Sequence, residues 1–182
     1  MAFKDHVKHV KIPTGRKCVI RATITPNLGI PPQTLLPADR PGMIHGGGQV
    51  LAGDTNGKPR KGTCQYVVTW NTGEEKSLYE TANATHAERQ LINFLAGHAV
   101  TSINIEITLS PCPPCADQLI KWIGQQKGPV EAMIEWKRLY VSGALGQGTV
   151  GETLNRLHAA GWKLAAPGSE IPEGTHVPVY LR

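Results

Sequence analysis

The chain has 182 residues and a mass of 19.7 kDa, which is enough for one domain with its own apolar core. Its 40% hydrophobic and 18% charged residues exclude an intrinsically disordered chain, and no run approaches the roughly 18 apolar residues that a membrane span needs. The N-terminus lacks the apolar segment of a secretory signal, so we expect a cytoplasmic protein, or a domain exported by machinery encoded elsewhere.

The net charge of +5 is concentrated in an N-terminal arm, residues 1–21. The arm holds a single acidic residue, Asp5, whereas the rest of the chain has equal numbers of basic and acidic residues. Its basic residues are Lys4, Lys8, Lys11, Arg16, Lys17 and Arg21. Such an arm can neutralise phosphates and steer a polyanion, although a solvated terminus has the same composition.

A zone rich in proline and glycine follows the arm. Residues 26–62 hold 6 prolines and 8 glycines, which excludes a long helix and predicts irregular or short-stranded structure. Ahead of it, residues 17–25 predict a strand because they are rich in β-branched residues. We therefore expect a single domain in which residues 1–62 form a basic arm and an extension packed on a core of residues 63–182.

The later zone alternates strand and helix signals. The predicted strands are 63–70 and 76–80, joined as a hairpin, then 103–109, 136–142, 163–166 and 177–181. The predicted helices are 85–97, 116–123 and 150–161. This alternation predicts an α/β fold, a three-layer α/β/α sandwich with helices on both faces of a mixed sheet. One detail departs from it, because Asn104, Glu106 and Thr108 leave one face of strand 103–109 polar.

Two helix starts carry the residues that bear chemistry. His86 and Glu88 open the first helix, and Cys112 and Cys115 open the second, with Pro111 before them. Both helices follow strands that run to the same sheet edge, so one imidazole and two thiolates should meet there and bind Zn²⁺ with a position left for water. Zinc lowers the pKa of bound water, and Glu88 can shuttle its proton. The combination H-x-E with P-C-x-x-C is the zinc deaminase signature.

Each feature also has a structural explanation. Thr85 and Glu88 fit a capping box, in which Glu88 serves only the helix. The cysteine pair could be a redox pair, or half of a closed structural zinc site completed by His86 and either Cys64 or His98. These explanations do not account for all five residues, His86, Glu88, Pro111, Cys112 and Cys115, at two helix starts separated by one strand.

The sequence resembles the cytidine deaminase superfamily and, within it, the polynucleotide branch. HAERQLINFL (86–95) and ITLSPCPPCA (107–116) are similar to the paired motifs of the AID/APOBEC DNA deaminases. Residues 138–141 and 154–161 resemble that group's fourth strand and following helix, and residues 79–86 resemble bacterial interbacterial-toxin deaminases. The resemblance implies a cytidine-deaminase-like sandwich with a five-stranded sheet, and the helix between the last core strands implies that these strands are parallel.

The resemblance also assigns roles to residues. It implies that His86, Cys112 and Cys115 ligate zinc and that Glu88 is the catalytic proton shuttle. Asn83 matches an asparagine of the toxin-like group and is expected to touch the target nucleotide. Ser110, which precedes Pro111, favours cytosine over adenine, and Trp70 at a strand end is a candidate for base contact.

These expectations converge on zinc-dependent hydrolytic deamination of cytosine to uracil in single- or double-stranded DNA. The enzyme would be a toxin-type or base-editing deaminase. Its partners would be cytosine-containing DNA and, for a toxin delivered into a target cell, an immunity protein. The alternatives are a deaminase of RNA or free nucleosides and a non-catalytic module with a structural zinc. Residues 143–150 lack the aromatic residues with which the AID/APOBEC group selects the preceding base, so no sequence context transfers.

Overall fold

The structure is a computed structural model that describes residues 18–27, 48–53, 62–67, 76–81, 86–141 and 146–182. Of residues 48–53, 62–67 and 76–81 only the backbone is described. The strands are β1 Val19–Pro26, β2 Gly48–Gly53, β3 Gly62–Val67, β4 Lys76–Thr81, β5 Val100–Leu109, β6 Glu131–Arg138, β7 Trp162–Ala166 and β8 Val179–Leu181. The helices are α1 Ala87–Leu95, α2 Pro113–Gly124 and α3 Gln147–Ala159, and a 3₁₀ turn spans Gly168–Glu170.

All eight strands belong to one mixed sheet in the order β4-β3-β2-β1-β5-β6-β7-β8. Strands β4 to β1 are antiparallel to their neighbours, as are β1 and β5, whereas β5, β6, β7 and β8 run parallel. The predicted α/β class is confirmed, and so is the parallel pairing of the last core strands. The mixed five-stranded sheet is β2-β1-β5-β6-β7, which β3 and β4 extend at one edge and β8 at the other.

One face of the central strands is apolar and lies under the helices. Alternate residues of each strand are buried, because successive strand side chains point to opposite faces. The buried positions are Ile20, Ala22, Ile24, Ile103, Ile105, Ile107, Ala132, Ile134 and Trp136. Apolar residues of all three helices join them in one cluster, in which the rings of Trp122 and Trp162 lie 6.2 Å apart.

The opposite face is polar, as the sequence of β5 indicates. Arg21 of β1 forms an ion pair with Glu106 of β5, and the Thr108 hydroxyl is hydrogen-bonded to the backbone of Val19. The apolar sides of the three described helices all face the first side of the sheet. The second helical layer of the predicted sandwich is therefore not among the residues that the structure describes.

Some strands lie elsewhere than the sequence predicts. Strands β1 and β2 come from the N-terminal zone that was expected to wrap around a core, yet they lie inside the sheet between β3 and β5. Arg21 accordingly belongs to a sheet strand rather than to the arm. Strand β6 begins at Glu131 instead of Trp136, because the alternation of Ala132, Ile134 and Trp136 fixes its buried face.

Candidate metal centre and catalytic site

The residues that meet at the site begin two helices. His86 is the N-cap of α1 with φ −90° and ψ 143°, and Cys112 is the N-cap of α2 with φ −71° and ψ 161°. The carbonyl oxygen of His86 accepts from the N–H of Gln90 at 3.1 Å, and that of Cys112 accepts from Ala116 at 2.9 Å. Neither side chain caps its own helix. The backbone is thus fixed by the first helical hydrogen bonds, while the imidazole and the thiol remain available as ligands.

Three ligand atoms converge between these helix starts. The Nδ1 atom of His86 lies 3.5 Å from Sγ of Cys112 and 3.2 Å from Sγ of Cys115. All three atoms lie within 4.8 Å of one another. In tetrahedral zinc sites, Zn–N bonds of about 2.0 Å and Zn–S bonds of about 2.3 Å put nitrogen and sulfur about 3.5 Å apart. The spacing and chemistry of the donors therefore fit Zn²⁺.

The ligand group has three members in the described part of the chain. No carboxylate and no second histidine there joins His86, Cys112 and Cys115. His98, a candidate fourth ligand of a closed structural site, is buried elsewhere and holds Gln126 through its carbonyl oxygen. Three protein ligands are typical of catalytic zinc, since the fourth position stays open to water or substrate.

The thiols of Cys112 and Cys115 interact with each other through a hydrogen bond. The hydrogen bond with Cys115 is the main cause that lowers the pKa of Cys112 from 9.0 to about 4, and His86 lowers it further against the effect of burial. The same hydrogen bond raises the pKa of Cys115, and burial adds to the shift. The hydrogen bond thus favours the thiolate at Cys112, the form in which a cysteine binds a metal.

Glu88 is buried beside the ligands but is not one of them. Its side chain is 3% exposed, and its charge is a further cause, after the Cys112 hydrogen bond and burial, that raises the pKa of Cys115. Because His86 is the N-cap, Glu88 is the second helical residue and not the third, the position that a capping box requires. The geometry thus favours a role at the site over a role in capping.

Arg89 is a residue near the site that sequence reasoning missed. Its charge lowers the pKa of Cys115, opposing the larger effects of the Cys112 hydrogen bond, burial and Glu88. Its buried Nε has no hydrogen-bond partner. A basic residue in the first turn opposes the helix dipole, and this was the signal in the sequence. A cation here offsets the negative charge of two thiolates and a carboxylate.

Ser110 lies at the end of β5, two residues before Cys112. It is 2% exposed, its N–H donates to the carbonyl oxygen of Arg138 at 2.9 Å, and its hydroxyl accepts from the N–H of Tyr140 at 2.8 Å. The hydroxyl thus holds the chain that leaves β6, and its hydrogen remains a donor. Direct contact of Ser110 with substrate stays a prediction.

The other candidate residues from the sequence either lie away from the ligand group or fall outside the residues that the structure describes. Asn83, Trp70 and Thr85 lie outside the described residues, and the side chain of Cys64 does too. Cys18 is a buried thiol whose Sγ donates to the carbonyl oxygen of Leu109 at 3.8 Å. It is not part of the ligand group.

The fold and the site together define an α/β protein with a His/Cys/Cys centre compatible with Zn²⁺. No protein-family description matches the chain, and no curated protein is similar to it. Among solved structures, it is similar to the dCMP deaminase of cyanophage S-TIM5 in complex with dCMP and dUMP, with a TM-score of 0.39 and 11% identity over 90% of this chain and 89% of that one.

None of the described helices is long and apolar enough to cross a bilayer.

Proposed function

We propose that the protein is a zinc-dependent deaminase that converts cytosine to uracil in DNA. The observation that carries the proposal is the meeting of His86, Cys112 and Cys115 at two helix starts. The buried carboxylate of Glu88 is close enough to these ligands for its charge to raise the pKa of the Cys115 thiol. Hydrolytic deamination by zinc requires three protein ligands of the ion and an adjacent carboxylic acid that does not bind it.

The residues divide the chemistry between binding and proton transfer. His86, Cys112 and Cys115 would hold the ion, which lowers the pKa of water when bound. Glu88 accepts a proton from the water that attacks C4 of cytosine and delivers it to the ring nitrogen N3. It then passes the remaining proton of the new C4 hydroxyl to the amino group, which departs as ammonia. The C4–O bond forms, the C4–N bond breaks, and the products are uracil and ammonia.

DNA is the substrate class that the remaining features favour. The basic residues before β1 suit a polyanion, and the helix between the parallel strands β6 and β7 matches the arrangement of the polynucleotide deaminases that the sequence resembles. A toxin-type role and a partner immunity protein belong to the same proposal and rest on the resemblance of residues 79–86.

A substrate panel tests the proposal. Purified protein is incubated with matched single-stranded DNA, duplex DNA, RNA, dCMP and cytidine, and uracil-containing products are quantified by mass spectrometry. We expect uracil in DNA, with Glu88→Gln as the inactive control. Products only from RNA, dCMP or cytidine would move the activity to another substrate. Full zinc occupancy with no product from any substrate would identify a structural zinc site.

A further inference from the structure

The chain that leaves β6 lies beside the metal centre and is held by backbone hydrogen bonds. Leu109 of β5 pairs with Arg138 of β6, so residues 138–141 emerge next to Ser110 at the same sheet edge as the cysteine ligands. Ligands of parallel α/β sheets bind outside this carboxyl edge. Residues 138–141 therefore lie at the edge of the sheet where a ligand of the metal centre is expected to bind.

Glu170 fixes this segment from a distant part of the sequence. Its carboxylate Oε2 accepts from the N–H of Leu139 at 2.8 Å, and its carbonyl oxygen accepts from Nε1 of the fully buried Trp136 at 2.9 Å. The N–H of Tyr140 donates to the Ser110 hydroxyl at 2.8 Å. Two successive amides of the segment are thus held by side chains. Glu170, in the 3₁₀ turn after β7, holds Leu139, and Ser110, just after β5, holds Tyr140.

A hydrogen bond from an amide to a carboxylate is stronger than one between neutral groups, and it fixes direction as well as distance. The indole of Trp136 anchors the backbone of the turn, so the residue that carries the carboxylate is held against β6. The exposed side chain of Val141 lies at the far end of the held segment. Loss of the Glu170 carboxylate leaves Leu139 without an acceptor while the metal ligands keep their own supports.

We propose that Glu170 is a positioning residue for substrate binding, which holds residues 138–141 as a preformed wall of the site. This inference rests on the proposed deaminase function and adds a specificity-related residue that takes no part in metal binding or proton transfer. Because the wall would contact substrate in the ground state and the transition state alike, its loss should weaken binding more than chemistry.

Steady-state kinetics and amide exchange of Glu170→Ala test the inference. We expect KM for cytosine-containing DNA to rise roughly tenfold with kcat within about twofold of the unchanged protein, since misplaced binding groups cost this much or more. Hydrogen exchange of the Leu139 amide should accelerate, while bound zinc stays the same. Glu170→Gln keeps an acceptor oxygen and should restore most of the affinity.

Glu173→Ala is the matched control, because that exposed carboxylate lies in the same C-terminal region, and it should change none of these quantities. Glu170→Asp retains the charge but shortens the reach, so it serves if the alanine variant is too unstable to assay. Unchanged KM in a folded Glu170→Ala or Glu170→Asp protein would overturn the inference, as would unchanged exchange at Leu139. Failure of the proposed function is distinct, since the unchanged protein itself would then form no uracil in DNA.

Discussion

At Glu88, the chemical role of a side chain can be separated from its contribution to folding. Glutamine has the same shape and can still accept backbone hydrogen bonds, but it cannot accept and release a proton. We therefore expect Glu88→Gln to fold, to keep its zinc and to bind DNA, while uracil formation falls by roughly 10²–10⁴-fold. Uracil release and metal content, measured on the same preparation, check this. Near-normal turnover would remove Glu88 from the mechanism.

The cysteines allow a matched test of the metal centre. Cys112→Ala removes one of the three ligands, so we expect bound zinc to fall well below the value of about one per chain of a filled site. Cys18→Ala is the control because Cys18 is equally a buried thiol but lies outside the ligand group. Elemental analysis of both variants measures the difference. Equal zinc in the two variants would contradict the ligand assignment.

At this scale the sequence predicts the meeting of His86, Cys112 and Cys115 better than it predicts the contacts around them. His86, Cys112 and Cys115 could be identified because helix starts are local signals and the ligands fall on two of them. The clamp of Leu139 by Glu170 could not, since it joins residues 31 positions apart through a turn that no local pattern specifies. Interactions of this kind depend on how β6 and β7 pair.

At the scale of elements, the close approach of α3 to the C-terminal chain can be tested. A Cβ atom added to Gly151 would lie 2.4 Å from the carbonyl oxygen of Glu173 and 2.7 Å from the backbone of Gly174, so backbone would have to move. We expect Gly151→Ala to destabilise the fold by about 1–3 kcal/mol, the usual cost of overpacking. Thermal or denaturant unfolding gives this value.

Gly148→Ala, three residues earlier in the same helix, is the control. A Cβ atom there meets nothing within 4 Å, so alanine should leave stability unchanged or raise it by about 0.4–1 kcal/mol through the entropy of the unfolded chain. Equal unfolding midpoints for the two variants would mean that the C-terminal segment does not pack against α3 at Gly151.

Elements with a periodic pattern were the predictable ones. The alternation in β5 and the helical spacing in α2 gave these elements nearly their observed bounds. For β6 the expected start was five residues late, because Glu131, Met133 and Glu135 occupy its less buried face and weaken the apolar signal. The places of β1 and β2 within the sheet depend on pairing with distant strands, which composition does not reveal.

At the scale of the whole molecule, the basic N-terminus can be tested with a deletion whose limit the structure sets. Removal of residues 1–21 would cut into β1, so the deletion must end before Cys18. Residues 1–17 contain Lys4, Lys8, Lys11, Arg16 and Lys17. If these residues contact phosphate, their loss should weaken DNA binding and reduce the slope of log affinity against log salt by about 0.9 per lost contact on duplex DNA.

Fluorescence anisotropy at several salt concentrations measures that slope. Deamination of a free nucleoside by the truncated protein serves as the control where it occurs, since it needs no phosphate contact. An unchanged slope would show that the segment contributes no phosphate contacts and that the affinity for DNA arises elsewhere.

The position of β1 has a consequence for how the chain acquires its fold. The N–H of Val19 in β1 donates a hydrogen bond to the hydroxyl of Thr108 in β5, which lies 89 residues further along the chain. Strand β5 in turn pairs with β6. Because β1 leaves the ribosome before β5, it must wait for this partner before the centre of the sheet can form. Long-range pairing of this kind slows folding and exposes intermediates to aggregation. The rate of synthesis and the availability of chaperones should thus control how much active protein a cell obtains.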